Sequence, residues 1–302
     1  MTALTRILTG SDLSEWADLA LQRAALLAGQ HGARLSVLHV VDPEELPAAG
    51  ELERLGETPH RFRERQIAET QAALDARAAQ YGSAIRADVQ TGKDFVEIIR
   101  RARTEEADLI VLGAHGQHFL RDWLLGTTVE RVLRKGDRPV LVVKNKPAGP
   151  YRRVLVALDF STHGQRALEW AMRIAPQAEI HVLHVYHELR AEAQLRAAGT
   201  SEQELAELRR EAARNGLDEL DKFLAVCKLD HAKIERHVSS GYPGPTIATE
   251  AARLGADLAA IGTHGRSNLL YVLLGSVALH VLRAAECDVL VTRPAQAHFS
   301  VP

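Results

Sequence analysis

Leu109-Ile110-Val111-Leu112 runs straight into Gly113-Ala114-His115-Gly116, and after nine residues comes Gly126-Thr127. The same phrase returns as Leu258-Ala259-Ala260-Ile261, then Gly262-Thr263-His264-Gly265, nine residues, and Gly275-Ser276. Each copy is a short apolar strand that ends in a glycine turn and leads on to a helix. Val129, Val132 and Leu133 space the apolar stripe of one such helix, and Val277, Val281 and Leu282 that of the other. Strands alternating with helices in this way build a parallel sheet covered on both faces.

The duplication extends outward from this phrase. Gly92 and Gly241, Asp108 and Asp257, Gly113 and Gly262, and Gly126 and Gly275 all stand 149 positions apart. Upstream, Ile7 to Ser14 parallels Val154 to Ser161, with Asp12 and Asp159 147 apart. Val37-Leu38-His39-Val40 recurs as Val182-Leu183-His184-Val185, 145 apart. A nearly constant offset across half a chain means two copies of one fold. Asn145-Lys146-Pro147-Ala148-Gly149-Pro150, polar and rich in Pro and Gly, suits the link between them. The expected domains are residues 1–146 and 151–302.

Each copy predicts the same element order. The first has strands at Arg6–Thr9, Leu35–Val41, Ile85–Val89, Leu109–Leu112 and Val140–Val143. The second has them at Val154–Leu158, Ile180–Val185, Ile234–Val238, Leu258–Ile261 and Val289–Thr292. Trp16, Leu19, Ala20, Arg23 and Leu27 form a helical stripe behind a cap at Ser14, and Phe95, Ile98, Ile99 and Ala102 form another. The long charged segments Pro43–Tyr81 and His187–His231 predict helices at Phe62–Ala79 and Gln203–Val226, with loose tips at Gly50–Thr58 and Ala198–Thr200. They read as solvated helix faces, a lid over a ligand being the sharper alternative. The fold class is α/β: two tandem doubly wound domains, each with a five-stranded parallel sheet.

Composition narrows the function. With 302 residues, each half can bury its own core, and 46% hydrophobic residues suit a globular chain. A net charge of -2 gives no general attraction to nucleic acid or anionic membrane. Cys227 and Cys287 form neither a metal spacing nor a disulfide framework. Met1 to Arg6 does not read as a signal peptide, and no apolar run approaches the roughly 20 residues of a membrane helix, so the cytoplasm is the expected location.

The glycine phrase carries the chemistry. Glycines at a strand end allow a tight turn and let a phosphate come close to the backbone. Ligands of open α/β sheets sit at the carboxyl ends of the strands. The free N–H groups of the helix that opens at Thr127 or Ser276 favour an anion. A lone Gly-x-x-Gly is equally a plain strand-to-helix turn, but here the full spacing occurs twice, each time followed by a hydroxyl residue. The P-loop pattern is missing: Gly92-Lys93-Asp94 lacks the hydroxyl residue. The dinucleotide pattern Gly-x-Gly-x-x-Gly is missing as well.

Gly-x-x-Gly-x9-Gly-Ser/Thr after the fourth strand resembles the ATP signature of the universal stress protein family. Leu274-Gly275-Ser276-Val277-Ala278 with Val281-Leu282-Arg283, and Ala256-Asp257-Leu258, are similar to that family's pattern. The resemblance covers about residues 3–144 and 151–293. It implies the universal stress protein fold, also described as adenine nucleotide alpha hydrolase-like, and ATP as ligand with Mg²⁺. Asp12 and Asp159 would lie near the ribose or a metal-bridged phosphate, and Val40 and Val185 would hold the adenine. Gly113, Gly116, Gly126 and Thr127, with Thr128 beside them, would hold phosphates in the first copy. Gly262, Gly265, Gly275 and Ser276, with Val277, would do so in the second. Gly10, Leu13 and Trp123 depart from the family pattern in the first copy, as does Asp288, before the last strand, in the second. Family domains also pair through the fifth strand, which implies pairing of the two copies and a further homodimer.

Other readings stand beside these. Asp12 and Asp159 are also ordinary turn or cap residues. His39 and His184, inside strand two, read as satisfied core histidines. His115 and His264 are either phosphate contacts or loop histidines. No Ser-His-Asp set, metal-ligand cluster or carboxylate pair is evident in the sequence, and the motif offers no evident base or transition-state cation. The chain therefore reads as a nucleotide-dependent regulatory binding protein of the stress response. A slow ATPase or phosphotransferase, or a nucleotide-free scaffold, is the alternative.

Overall fold

The computed structural model describes residues 3–45, 52, 54, 58–82, 84–116, 125–186, 194–227, 234–263 and 274–293. The chain divides between Pro150 and Tyr151 into two compact units. The first runs β1 (Arg6–Gly10), α1 (Glu15–His31), β2 (Arg34–Val41), α2 (Pro59–Ala79), β3 (Arg86–Thr91), α3 (Asp94–Thr104), β4 (Leu109–Gly113), α4 (Thr127–Lys135) and β5 (Val140–Val143), with one short 3-10 turn at Pro43–Glu45. The second runs β6 (Arg153–Leu158), α5 (Thr162–Ile174), β7 (Glu179–Tyr186), α6 (Glu202–Cys227), β8 (Ile234–Ser240), α7 (Pro243–Leu254), β9 (Leu258–Gly262), α8 (Ser276–Ala284) and β10 (Asp288–Thr292). Strand limits fall within two residues of those expected from sequence. Residues 50–57 lie outside the described residues except for positions 52 and 54.

Within the first unit the parallel order is β3-β2-β1-β4-β5. Within the second it is β8-β7-β6-β9-β10, again parallel. The inner strands are buried on both faces, Leu109, Ile110 and Val111 almost completely, because helices cover both sides. The edge strand β3 is polar, and α2 reaches over to it. Gln71 donates from Nε2 to the Ala87 carbonyl and accepts at Oε1 from Val89 N–H. One side chain thereby satisfies an open strand edge. No helix among the described residues is long and apolar enough to cross a membrane.

Ser14 caps α1, its hydroxyl accepting from Ala17 N–H, and Ser161 does the same for α5 through Gly164 N–H. The buried face of α1 differs from the expected stripe. Ala17, Ala20, Leu21, Ala24 and Leu27 line it, while Trp16 and Leu19 are only half-buried on its flank. Small side chains let the helix lie close to the sheet, and that displaces the larger ones sideways. Arg23 stays on the buried face because Nη1 donates to the Gly149 carbonyl at 2.7 Å.

The repeated Asp108 and Asp257 have the same structural task. Asp108 Oδ2 accepts from Thr5 N–H and Thr5 Oγ1 at 2.7 Å and from Arg6 N–H at 3.1 Å. Asp257 accepts from Arg152 N–H at 2.8 Å and Arg153 N–H at 3.1 Å. Each carboxylate ties the start of the first strand of its unit to the start of the fourth. Asp108→Ala is therefore expected to lower stability by about 1–3 kcal/mol, with Asp257→Ala similar and Asp108→Asn milder. A urea midpoint left unchanged by Asp108→Ala would contradict this account.

Candidate functional site

In the first unit the strand order reverses between β1 and β4, and ligand crevices of doubly wound sheets open at that point. β1 ends at Gly10 and continues through Ser11, whose N–H still donates to the Leu38 carbonyl. Asp12 then turns the chain, its Oδ1 accepting from Ser14 N–H at 3.0 Å. Leu13 follows with φ 63°, in the left-handed region that glycine adopts without strain. β4 ends at Gly113, and Ala114 N–H bonds the Val143 carbonyl.

Gly126 closes the loop. Its N–H donates to the Ala114 carbonyl at 3.0 Å, holding the two halves of the glycine phrase together. Gly126 is also the N-cap of α4 and offers no side-chain cap, in contrast to Ser14 on α1. The N–H groups of the first turn of α4 are left open to an anion from outside.

These elements enclose a cavity of about 590 Å³. Asp12, Val40, Gly113, His115, Gly116, Gly126, Thr127 and Thr128, expected from the sequence, all line it. Two of the glycines are demanded by contact. A Cβ on Gly113 would lie 2.6 Å from the Trp16 carbonyl oxygen, so β4 and α1 touch through bare backbone. A Cβ on Gly116 would lie 2.7 Å from Asp12 Oδ2, which puts the carboxylate directly against the loop. The His115 ring meets Trp16 edge-on at 4.7 Å.

The lining also contains residues that the motif does not name. Asp94, at the start of α3, accepts a hydrogen bond from Thr128 Oγ1. Arg131, one turn along α4 from Thr127, lies 5.4 Å from the Phe95 ring centre and makes no ion pair among the described residues. It is a guanidinium on the cavity wall, outside the glycine motif. Gln66 and Thr70 come from the charged helix α2, so one face of that segment is cavity wall and not solvated surface. Gln66 Oε1 is buried without a hydrogen-bond partner. Helical spacing did announce α2, but nothing in the sequence said which of its faces turns inward.

His39 is half-buried, and its Nδ1 lies 2.8 Å from the Ser11 carbonyl; His184 repeats this with the Leu158 carbonyl at 2.9 Å. Both are satisfied as expected, but His39 also lines the cavity. In the second unit Asp159 Oδ1 accepts from Ser161 N–H and Oγ at 3.2 and 2.5 Å. Gly275 N–H bonds the Thr263 carbonyl at 2.8 Å, and Gly275 again starts a helix without a side-chain cap. Ser276 and Val277 open that helix, and Val185 stands in β7. A Cβ on Gly262 would lie 2.8 Å from His163 Cβ, the counterpart of the Gly113 contact. Burial pushes the His163 imidazole below its usual pKa, with Asp159 opposing. Phe160 has φ 61°, like Leu13, and its ring lies 4.3 Å from His184. His264, Gly265 and Trp123 lie outside the described residues.

Gly113→Ala is expected to cost about 1–3 kcal/mol of stability, because the obstacle is backbone and not a side chain that can turn away. Gly126→Ala, whose Cβ would meet nothing nearer than 3.4 Å, is expected to leave the melting temperature nearly unchanged. Equal melting temperatures for the two variants would contradict the contact argument.

The sequence model of the universal stress protein family matches residues 4–144 and again 150–293. A universal stress protein of Mycolicibacterium smegmatis is 26% identical over 95% of this chain and 97% of its own length. Universal stress protein MJ0577 of Methanocaldococcus jannaschii is 28% identical over 47% of this chain and 95% of its own. The crystal structure of a universal stress protein from Archaeoglobus fulgidus shares the fold, with TM-score 0.66 and 23% identity over 95% of this chain and 98% of that one.

Proposed function

Because this chain belongs to the universal stress protein family, we propose that the cavity of its first unit binds an adenine nucleotide, ATP with Mg²⁺, and that the protein acts as a nucleotide-dependent regulatory binding protein. The observation that carries the reading is a single one. A glycine-rich strand end and an uncapped helix start, Gly113–Gly116 and Gly126–Thr128, face one cavity of nucleotide size.

The cavity has separate chemical ends. Gly116, Thr127, Thr128 and Arg131 offer backbone N–H groups, the Thr127 hydroxyl and a guanidinium to phosphate oxygens. Leu38, Val40, Val41 and Ile98 offer an apolar wall to a base. Gln66 Oε1, buried and unpartnered, is an acceptor for an exocyclic amine, which adenine carries. Asp12, Asp42 and Asp94 outnumber Arg131, so a bare triphosphate would meet net negative charge. A divalent cation, for which Asp12, Asp42 and Asp94 offer carboxylates, would resolve that conflict by screening the phosphates. The second unit has the same backbone frame, Gly262 and Gly275 with Ser276, and is proposed as a second site.

Arg131 also favours a second reading, slow phosphoryl transfer, since a guanidinium beside a phosphate chain stabilises transferring charge. Steady ADP formation by the full-length protein, abolished in Arg131→Ala, would establish it.

Gly126→Asp separates folding from binding. Aspartate is a favoured N-cap, so the helix start gains a partner while the anion site gains a negative charge. The expected result is an unchanged or raised melting temperature with Mg-ATP affinity at least about tenfold weaker. EDTA is expected to weaken ATP binding comparably, and Gln66→Ala to reduce the preference for ATP over GTP. Wild-type affinity in Gly126→Asp would sink the assignment of phosphates to this helix.

A further inference from the structure

The second unit carries a cluster that has no counterpart in the first. His181 on β7 and Glu235 and His237 on β8 lie on one face of the sheet, because β-strand side chains at i and i+2 share a face and the two strands pair His181 with Glu235. His181 Nδ1 is 2.9 Å from His237 Nε2 and 3.2 Å from Glu235 Oε2, and His237 Nε2 is 3.9 Å from the same oxygen. Ligand atoms around a tetrahedral metal with bonds of about 2.05 Å stand roughly 3.3–3.4 Å apart. The three separations bracket that edge.

We propose that His181, His237 and Glu235 form a binding site for a late first-row divalent metal, Zn²⁺ being the probe that fits best. The donor set is two imidazoles and one carboxylate, which suits Zn²⁺, Ni²⁺ or Cu²⁺ better than the oxygen-seeking Mg²⁺ or Ca²⁺. His181 is 4% exposed, and its other ring nitrogen, Nε2, is buried with no hydrogen-bond partner. That nitrogen lies 3.9 Å from Glu179 Oε2. Glu179 Oε2 accepts instead from Arg153 Nε at 3.1 Å, and a small shift would bring it to the outer N–H of His181, where a carboxylate would fix the tautomer that leaves the inner nitrogen free to bind. Glu235 is exposed on β8, the end strand of this sheet, so an ion can enter from solvent. The charged groups of the covering helix α7 that act on His237, Arg253 and Glu250, are paired with each other at 2.7 Å.

Comparison of the two copies shows that the fold does not require this cluster. By strand register the first unit has Ser36, Arg86 and Asp88 at the three positions. There, Arg86 and Arg101 both pair with Asp88 at 2.8 Å, and Ser36 donates to Glu105. A set of ion pairs in one copy is replaced in the other by metal-ligating residues.

The test uses full-length protein stripped with EDTA and titrated with Zn²⁺ against a chelating indicator. One Zn²⁺ per chain is expected at this site. His237→Gln should weaken it at least about 100-fold, and Glu179→Gln, one shell out, about tenfold. Exposed Glu235→Gln carries little folding risk and should also weaken binding at least about tenfold. In the wild-type chain, long-range ¹H–¹⁵N spectra should show the side-chain nitrogens of His181 and His237 moving together on Zn²⁺ addition. Zn²⁺ binding unchanged in both His237→Gln and Glu235→Gln, or lost only in Cys227→Ser, would overturn the proposal and leave a histidine–histidine hydrogen bond.

Discussion

At Gly113 there is no room for a methyl group, because the carbonyl of Trp16 already occupies the space. The rest of the site depends on that contact. α1 can lie against the end of β4 only if both present backbone, and the small buried face of Ala17, Ala20 and Ala24 continues the close approach along the helix. With α1 seated there, Asp12 is brought against Gly116 and the end of β1 against the end of β4. The same constraint operates between Gly262 and His163 in the second unit. The glycines that begin the motif are thus packing residues first. The helix start proposed to hold the anion lies where that packing leaves the next glycine and the next helix.

On the shared frame the two copies have diverged in side-chain chemistry. At the spacing of 149, Asp94, Thr128 and Arg131 correspond to Pro243, Val277 and His280. The first unit thereby has a hydrogen-bonded carboxylate and a guanidinium beside its helix start, and the second has a proline, a valine and an imidazole. After β1 the strained position is Leu13; after β6 it is Phe160, packed on His184 and, at 5.7 Å, on Phe223. If both cradles bind nucleotide as proposed, similar backbone among the described residues with unequal side chains would give them different affinities or preferred ligands.

Much of this was legible in the sequence. Continuous apolar runs gave the inner strands, because buried parallel strands have no polar face to interrupt them, whereas β3 and β8 carry polar residues. The glycine spacing located the strand ends and the helix starts, while Asp108 and Asp257 stood in the sequence only as repeat markers, and the tie they make comes from the structure. Periodicity located α1 but placed Trp16 and Leu19 on its buried face, since a hydrophobic count prefers large residues and close packing prefers small ones. Gln66, Thr70 and Arg131 were not legible, because their part depends on which face of a helix turns inward across the sheet. The same holds for His181 and His237, 56 positions apart and brought together only by the β7–β8 register.

The most direct test of the central claim is to purify the full-length protein without added nucleotide, denature it, and identify and count what it releases. The account predicts adenine nucleotide at about one per chain or more, with the Gly126→Asp variant releasing less. Protein that releases none, and that shows no heat or fluorescence change on titration with Mg-ATP, would contradict it and leave the duplicated fold as an interaction scaffold.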